Sequence, residues 1–199
     1  APFDFYIKRK LYIHNMGHAT CAYLGDLLGL EYIYQSIDVP EVRIVVQNAM
    51  IESAMALHKK YDVALGGILM HITDLLHRFT NAALKDTCKR VGGDPGRKLS
   101  PADRLIGSAS LALEQGITPA YIALGAAAGL RRYIDEAEGM EQGMDAAKKV
   151  LAEVSELQAD SKLAGMILAM YEQILAGKSL KELLAAADEV KASSIHDII

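Results

Sequence analysis

Apolar residues recur every three to four positions along almost the whole chain, the spacing that turns one face of an α-helix toward a core. From about Ile7 to Leu28 the apolar stripe includes Leu11, Tyr12, Cys21 and Leu24, and Gly29 is placed to end it. Asp38-Val39-Pro40-Glu41 reads as a helix start, with Asp38 at the N-cap, proline in the first turn and glutamate at the capping-box position. The pattern then runs through Ile44, Val45, Met50, Ile51 and Met55 toward Lys60. Another apolar helix is expected from about Val63 to Phe79, and a shorter one from Lys85 to Val91, ended by Gly92-Gly93. Asp94 to Lys98 reads as a loop. Ser100-Pro101-Ala102-Asp103 has the residues of a helix N-terminus, and that helix is expected to run to Gly116. Helices follow from Thr118-Pro119 to about Tyr133, from Met140 to Leu157, from Ser161 to Ala176 and from Leu180 to Ala192. Glu31–Ser36 and Val42–Val46 are β-like in composition, the second inside a capped helix. The fold class is therefore all-α, with roughly 8–10 helices.

Composition agrees with that pattern. The 199 residues are 51% hydrophobic and 23% charged, rich in Ala, Leu, Met and Ile and without Trp. Such a chain forms helices and buries a sizeable core as one domain. A net charge of −4 argues against general nucleic-acid binding. Locally the sign reverses: Lys85, Lys89, Arg90, Arg97 and Lys98 outnumber Asp86 and Asp94, an excess suited to an anionic group. Cys21 and Cys88 are too few for a disulfide scaffold and fit a reducing compartment. No signal peptide or membrane-length apolar run is present, so the expected location is cytoplasmic, without membrane or nucleic-acid partners.

Against this background the run Lys10-Leu-Tyr-Ile-His14-Asn15-Met-Gly-His18 stands out. At 100° per residue, Lys10, His14, Asn15 and His18 project at about 0°, 40°, 140° and 80°, sharing one face about 140° wide. An inward-turned face of this kind offers a proton acceptor and hydrogen-bond donors to a single ligand oxygen. Gly17, within the same helix, gives up about 1 kcal/mol relative to alanine and leaves room beside His18. His14 and His18 at i, i+4 also have a metal-ligand spacing, but the run is His-Asn-Met-Gly-His and lacks the glutamate of a metalloprotease helix. A site joining either histidine with His71 or His77 stays open on spacing alone.

The spacing Lys-x4-Asn-x2-His resembles the signature of the polyol-specific long-chain dehydrogenases. Arg9 to Ala19 and Ala22 to Gly25 are more similar to the hexitol-phosphate branch than to the branches acting on free mannitol or on hexuronates. His77 to Thr87, which holds Arg78-Phe-Thr-Asn81-Ala82, is similar to the family's Arg-Phe-x-Asn-Pro segment, with Ala82 in place of proline, and Arg97 to Gly107 fits the same family. The resemblance is weakest after about Gly139. It implies that residues 1–199 are the helical C-terminal, catalytic and substrate-binding domain of a two-domain, metal-independent dehydrogenase. It further implies NAD bound mainly by an N-terminal Rossmann domain, since no strand followed by Gly-x-Gly-x-x-Gly occurs in this chain. The implied reaction is reversible oxidation of a sugar alcohol phosphate to fructose 6-phosphate. The implied catalytic residues are Lys10 as general base, made acceptor-competent by desolvation and neighbouring cations, with Asn15 and His18 as donors to the oxygen. The implied substrate-binding residues are Arg78 and Asn81, with Arg97 and Lys98 as further phosphate ligands. An unphosphorylated polyol or hexonate is the alternative within this chemistry. A non-catalytic helical interaction module, using the Ala- and Met-rich stripes as a partner surface, is the alternative outside it.

Overall fold

The computed structural model describes residues 1–196, with side chains described through Ser194. Twelve α-helices, one π-helical segment and one 3-10 turn make up the described residues, and no strand is formed. The all-α expectation holds; the count exceeds 8–10 because a π-helical segment splits the first helix and the connections Ile33–Asp38 and Pro95–Lys98 coil into short helices.

The organising element is α9 (Ala120–Glu136), whose residues from Ala120 through Leu130 are all buried. A helix apolar on every side belongs at the centre of a core. α2 (Met16–Leu27), α4 (Pro40–Tyr61), α11 (Lys162–Leu175) and α12 (Leu180–His196) pack around it. Small residues set the approach of α2 to α9. A Cβ built on Gly125 would meet Thr20 Oγ1 at 2.5 Å, and one on Gly129 would meet the Tyr23 ring at 2.9 Å. Thr20 is β-branched and has little rotamer freedom with which to yield. Gly125→Ala is therefore expected to lower stability, overpacking of this kind costing about 1–3 kcal/mol. Gly165, the fourth residue of α11 with open space around its Cβ position, is the control: Gly165→Ala is expected to raise stability by up to about 1 kcal/mol through helix propensity. Urea midpoints of the two variants should move in opposite directions.

Several local expectations change. The first helix begins at Phe3 and is continuous to Leu27, but residues Lys10–Asn15 wind as a π-helix between α1 (Phe3–Arg9) and α2. Asp38 is not a cap. It closes α3 (Ile33–Asp38) and pairs with Arg43 at 3.5 Å, while Val39 precedes α4. The β-like run at Glu31–Ser36 is mostly helix α3, with Tyr32 alone bridging to Thr87. Between α5 (Leu65–Phe79) and the Tyr32–Thr87 bridge, residues Ala82–Leu84 form a 3-10 turn and Lys85 takes a left-handed conformation, φ 50°. α6 (Cys88–Val91) follows, and the Asp94–Lys98 loop contains a short helix, α7 (Pro95–Lys98), capped by Asp94. Ser100–Asp103 does not start a helix. The Ala102 carbonyl accepts from the Tyr12 hydroxyl, the Leu105 amide turns back to Lys98, and α8 starts only at Ile106, ending at Glu114. α10 is shorter than expected, Met144–Glu153. Gly29 and Gly116 end their helices in left-handed conformations, as expected of helix-terminating glycines.

Candidate functional site

The π-helical segment lies at the distinctive polar run. The Met16 amide reaches back five residues to Leu11 as well as to Ile13. A π turn carries about one more residue than an α turn. Residues five apart, such as Lys10 and Asn15, then sit about one turn apart rather than 140° round the axis. The winding thus narrows the polar face read from the sequence, and such turns recur at functional sites.

Beneath this face lies a cavity of about 330 Å³. His14, Asn15 and His18 enter it from the first helix, and Arg78, Phe79 and Asn81 from the end of α5. Asp86 and Arg90 close it from the connection into α6, with Ile33 and Tyr34 of α3 opposite. The two sequence blocks that looked functional therefore meet in space. Asn15 makes no capping hydrogen bond to the helix it opens. Arg78 is exposed, and none of the ion pairs among the described residues includes it. Asn81 uses its Oδ1 to accept from the Ala83 amide at 3.0 Å, which leaves its N–H groups for a ligand.

His18 is held on several sides. Its ring stacks on Phe79, centroids 4.8 Å apart and planes 16° from parallel, and Nε2 lies 3.5 Å from Asp86 Oδ2. Burial pushes its pKa down to about 4; the nearby Asp86 carboxylate opposes the fall without reversing it. At neutral pH His18 is the uncharged imidazole. His14 is lowered in the same direction by burial, then by Arg78, His71 and Lys10, which places Lys10 within electrostatic reach of the cavity wall.

Three expected site residues stand elsewhere. Lys10 is exposed and does not line the cavity, because Tyr12 and Ile13 take the buried side of its turn. This corrects the inward-facing amine. Lys98 is buried, and its ammonium donates to the Gly93 carbonyl. Arg97 pairs with Asp94 at 2.9 Å. Both belong to the α7 turn outside the cavity, so their basic charge serves local structure there. Gly17 does not open space for a ligand, since the Met50 side chain fills the position. Conversely, Phe79, Asp86 and Arg90 line the cavity and were not singled out as site residues, although Phe79 and Asp86 fall in the same block as Arg78 and Asn81.

No group of three or more His, Cys, Asp or Glu residues is arranged to hold a metal ion among the described residues. Cys21 and Cys88 are unpaired and buried, and burial pushes their thiols up to about 12 and about 11, outside the range of reactive cysteines. No described helix is long and apolar enough to cross a membrane.

Comparison with known proteins supplies the context for this geometry. The family described as the mannitol dehydrogenase C-terminal domain matches residues 3–191. Mannitol-1-phosphate 5-dehydrogenase of Caldanaerobacter subterraneus subsp. tengcongensis is 46% identical over 125 residues, covering 63% of this chain and 32% of that protein. Mannitol-1-phosphate 5-dehydrogenase of Thermoanaerobacter pseudethanolicus is 36% identical over 174 residues, covering 85% and 45%. The chain thus spans less than half the length of these curated relatives. Among solved structures, Pseudomonas fluorescens mannitol 2-dehydrogenase, a ternary complex with NAD and D-mannitol, shares the fold with a TM-score of 0.67 at 15% identity, covering 91% of this chain and 40% of that one. A D-sorbitol dehydrogenase in substrate-free form gives 0.64 at 18% identity, covering 94% and 41%.

Proposed function

Because this chain belongs to the mannitol dehydrogenase C-terminal domain family, we propose that it is the catalytic and substrate-binding part of an NAD-dependent dehydrogenase interconverting mannitol 1-phosphate and fructose 6-phosphate. The observation that carries this reading is the convergence of Asn15, His18, Arg78 and Asn81, from two separate blocks, on one cavity. The names of its relatives support the phosphorylated substrate.

In this reading Lys10 is the general base that takes the hydroxyl proton. Asn15 donates an amide N–H to the oxygen as negative charge develops there; one such donor is worth about 2.7–4 kcal/mol in the transition state. His18 is the third polar contact, and the ring nitrogen that carries its proton decides what it can hold. Arg78, with no competing carboxylate, captures the phosphate, its fork matching two oxygens at once. Asn81 orients the sugar alcohol through its remaining N–H groups.

No dinucleotide fingerprint is formed among the described residues. The left-handed glycines Gly29, Gly116, Gly139 and Gly177 all follow helices, whereas a dinucleotide site needs a glycine turn leading from a strand into a helix. The cofactor is assigned to sequence outside this chain, in an N-terminal dinucleotide-binding domain of the same protein.

Turnover of mannitol 1-phosphate, free mannitol and fructuronate by the enzyme carrying this chain tests the reading. Preference for the phosphate ester is expected. Arg78→Ala should raise its KM by about 10- to 100-fold, the loss of about 1.5–3 kcal/mol from a hydrogen bond to a charged group, and leave KM for mannitol unchanged. Equal use of mannitol and its phosphate would remove the phosphate from the proposal, and preference for fructuronate would move the chain to the hexuronate branch.

A further inference from the structure

Asp86 sits where its two oxygens do different work. Oδ1 is held by the Arg90 guanidinium one helical turn ahead, and Oδ2 faces His18 Nε2 at 3.5 Å. Its backbone is fixed on both sides: the Asp86 carbonyl accepts from the Ile33 amide at 2.9 Å, and the Cys88 amide donates to Glu31 at 2.8 Å. Immediately before it, Lys85 occupies a left-handed conformation uncommon for a residue with a side chain. The carboxylate is thereby anchored to the first helix's neighbour α3 as well as to α6. The imidazole it faces is clamped flat on Phe79, so the ring rotates little.

A neutral imidazole has one N–H and one lone pair. Carboxylate oxygens accept hydrogen bonds, so the 3.5 Å approach of Asp86, longer than a formed hydrogen bond, favours the hydrogen on Nε2. The other nitrogen, Nδ1, is then an acceptor. Burial keeps the ring uncharged at neutral pH, so a second N–H is not present to donate toward a ligand.

We propose that Asp86 is a positioning residue that fixes His18 as the Nε2–H tautomer, making Nδ1 an acceptor for a hydroxyl of the sugar alcohol beside the reacting carbon. This divides the Asn15–His18 pair: Asn15 donates to the reacting oxygen, and His18 reads a neighbouring O–H. It rests on the dehydrogenase reading for its substrate, but the tautomer is a property of the chain itself. A site built this way selects polyols over simple secondary alcohols, because an unfilled acceptor in a half-buried site lowers affinity for a ligand lacking the hydroxyl.

Nitrogen-15 chemical shifts of histidine-labelled protein near neutral pH read the tautomer directly. Wild type should show Nε2 protonated and Nδ1 bare at His18. Asp86→Ala should give a mixture of tautomers, and Asp86→Asn, whose one oxygen stays with the Arg90 guanidinium and whose amide N–H then faces His18, should shift the ring toward the Nδ1–H form. Amide spectra of the same samples confirm folding. In the enzyme carrying this chain, Asp86→Ala should raise KM for the sugar alcohol phosphate by at least tenfold with kcat changed less than threefold, and Asp86→Asn should not recover it. A wild-type ring protonated on Nδ1, or an unchanged tautomer in Asp86→Ala, overturns the proposal, as does a loss confined to kcat. Absence of any polyol turnover in the wild type would instead defeat the dehydrogenase reading, and the nitrogen shifts would still decide the role of Asp86.

Discussion

Replacing Lys10 by alanine should lower kcat for mannitol 1-phosphate oxidation by about 10²- to 10⁴-fold, the usual contribution of a positioned general base. KM should move little, because Arg78 and Asn81, not Lys10, hold the substrate in the proposed arrangement. Small primary amines added to the Lys10→Ala enzyme should restore part of the rate, as an external base entering the space left by the side chain. The prediction is demanding because Lys10 is exposed in this chain. A general base works where water is excluded and its charged form is disfavoured. For Lys10 to act, the reacting complex must cover it, and the π-helical winding supplies the reason it can be covered together with Asn15: the two residues lie about one turn apart along one edge. Near-full turnover of Lys10→Ala would end the general-base assignment while leaving the cavity and its phosphate ligand in place.

The sequence makes the local parts of this site legible. Asn15 and His18 lie three residues apart on a helix whose apolar face is plain, so their common direction follows from periodicity alone. Arg78 stands in the last turn of α5 and Asn81 lies beyond its end, so their pairing came from the resemblance and not from periodicity. That the two pairs face one cavity did not follow from periodicity; it came through resemblance, because helix packing angles are not written in any short window. The contact between His18 and Asp86 was illegible for a related reason. It depends on the Tyr32–Thr87 bridge and on the left-handed turn at Lys85, where a lysine stands in a conformation that sequence reasoning reserves for glycine or asparagine. Basic charge misled at Lys98, since a buried ammonium satisfied by the Gly93 carbonyl looks the same in sequence as a phosphate ligand. The Ser100-Pro101-Ala102-Asp103 start failed because Tyr12, remote in sequence, claims the Ala102 carbonyl, and Asp103 turns its carboxylate to the Arg104 amide and guanidinium instead of a helix end. In each case a tertiary partner outbid a local preference of about 1 kcal/mol.

Glu52→Ala should be the most destabilising single substitution, by about 3–5 kcal/mol, since it leaves two buried amides without an acceptor at about 1–3 kcal/mol each. Glu52 is 2% exposed in the middle of α4 and points at the N-terminus of α9. It accepts from the Ile122 amide at 3.1 Å, more weakly from the Tyr121 amide at 3.4 Å, and from the Lys191 ammonium of α12 at 2.9 Å. Lys191 also donates to the Thr118 carbonyl at 2.6 Å. One carboxylate therefore joins three helices, and alanine would strand two buried amides at the start of the central helix. For a domain of this size the loss corresponds to a fall of about 6–20 °C in Tm. The pH dependence has a definite sign. Burial lifts the Glu52 pKa to about 7 from the usual 4.5, with Lys191 and the two amides pulling the other way. The folded state thus binds this proton more readily than the unfolded chain does. Its contribution is fully present below about 4.5 and is lost as pH rises through about 7. Glu52→Gln, which does not titrate, lacks that slope. Wild type should therefore lose stability relative to Glu52→Gln between pH 5 and pH 8, measured by urea unfolding at each pH. A wild type that instead gains on Glu52→Gln toward pH 8 would mean that the carboxylate is stabilised in its charged form, the Lys191 pair and the helix end prevailing over burial.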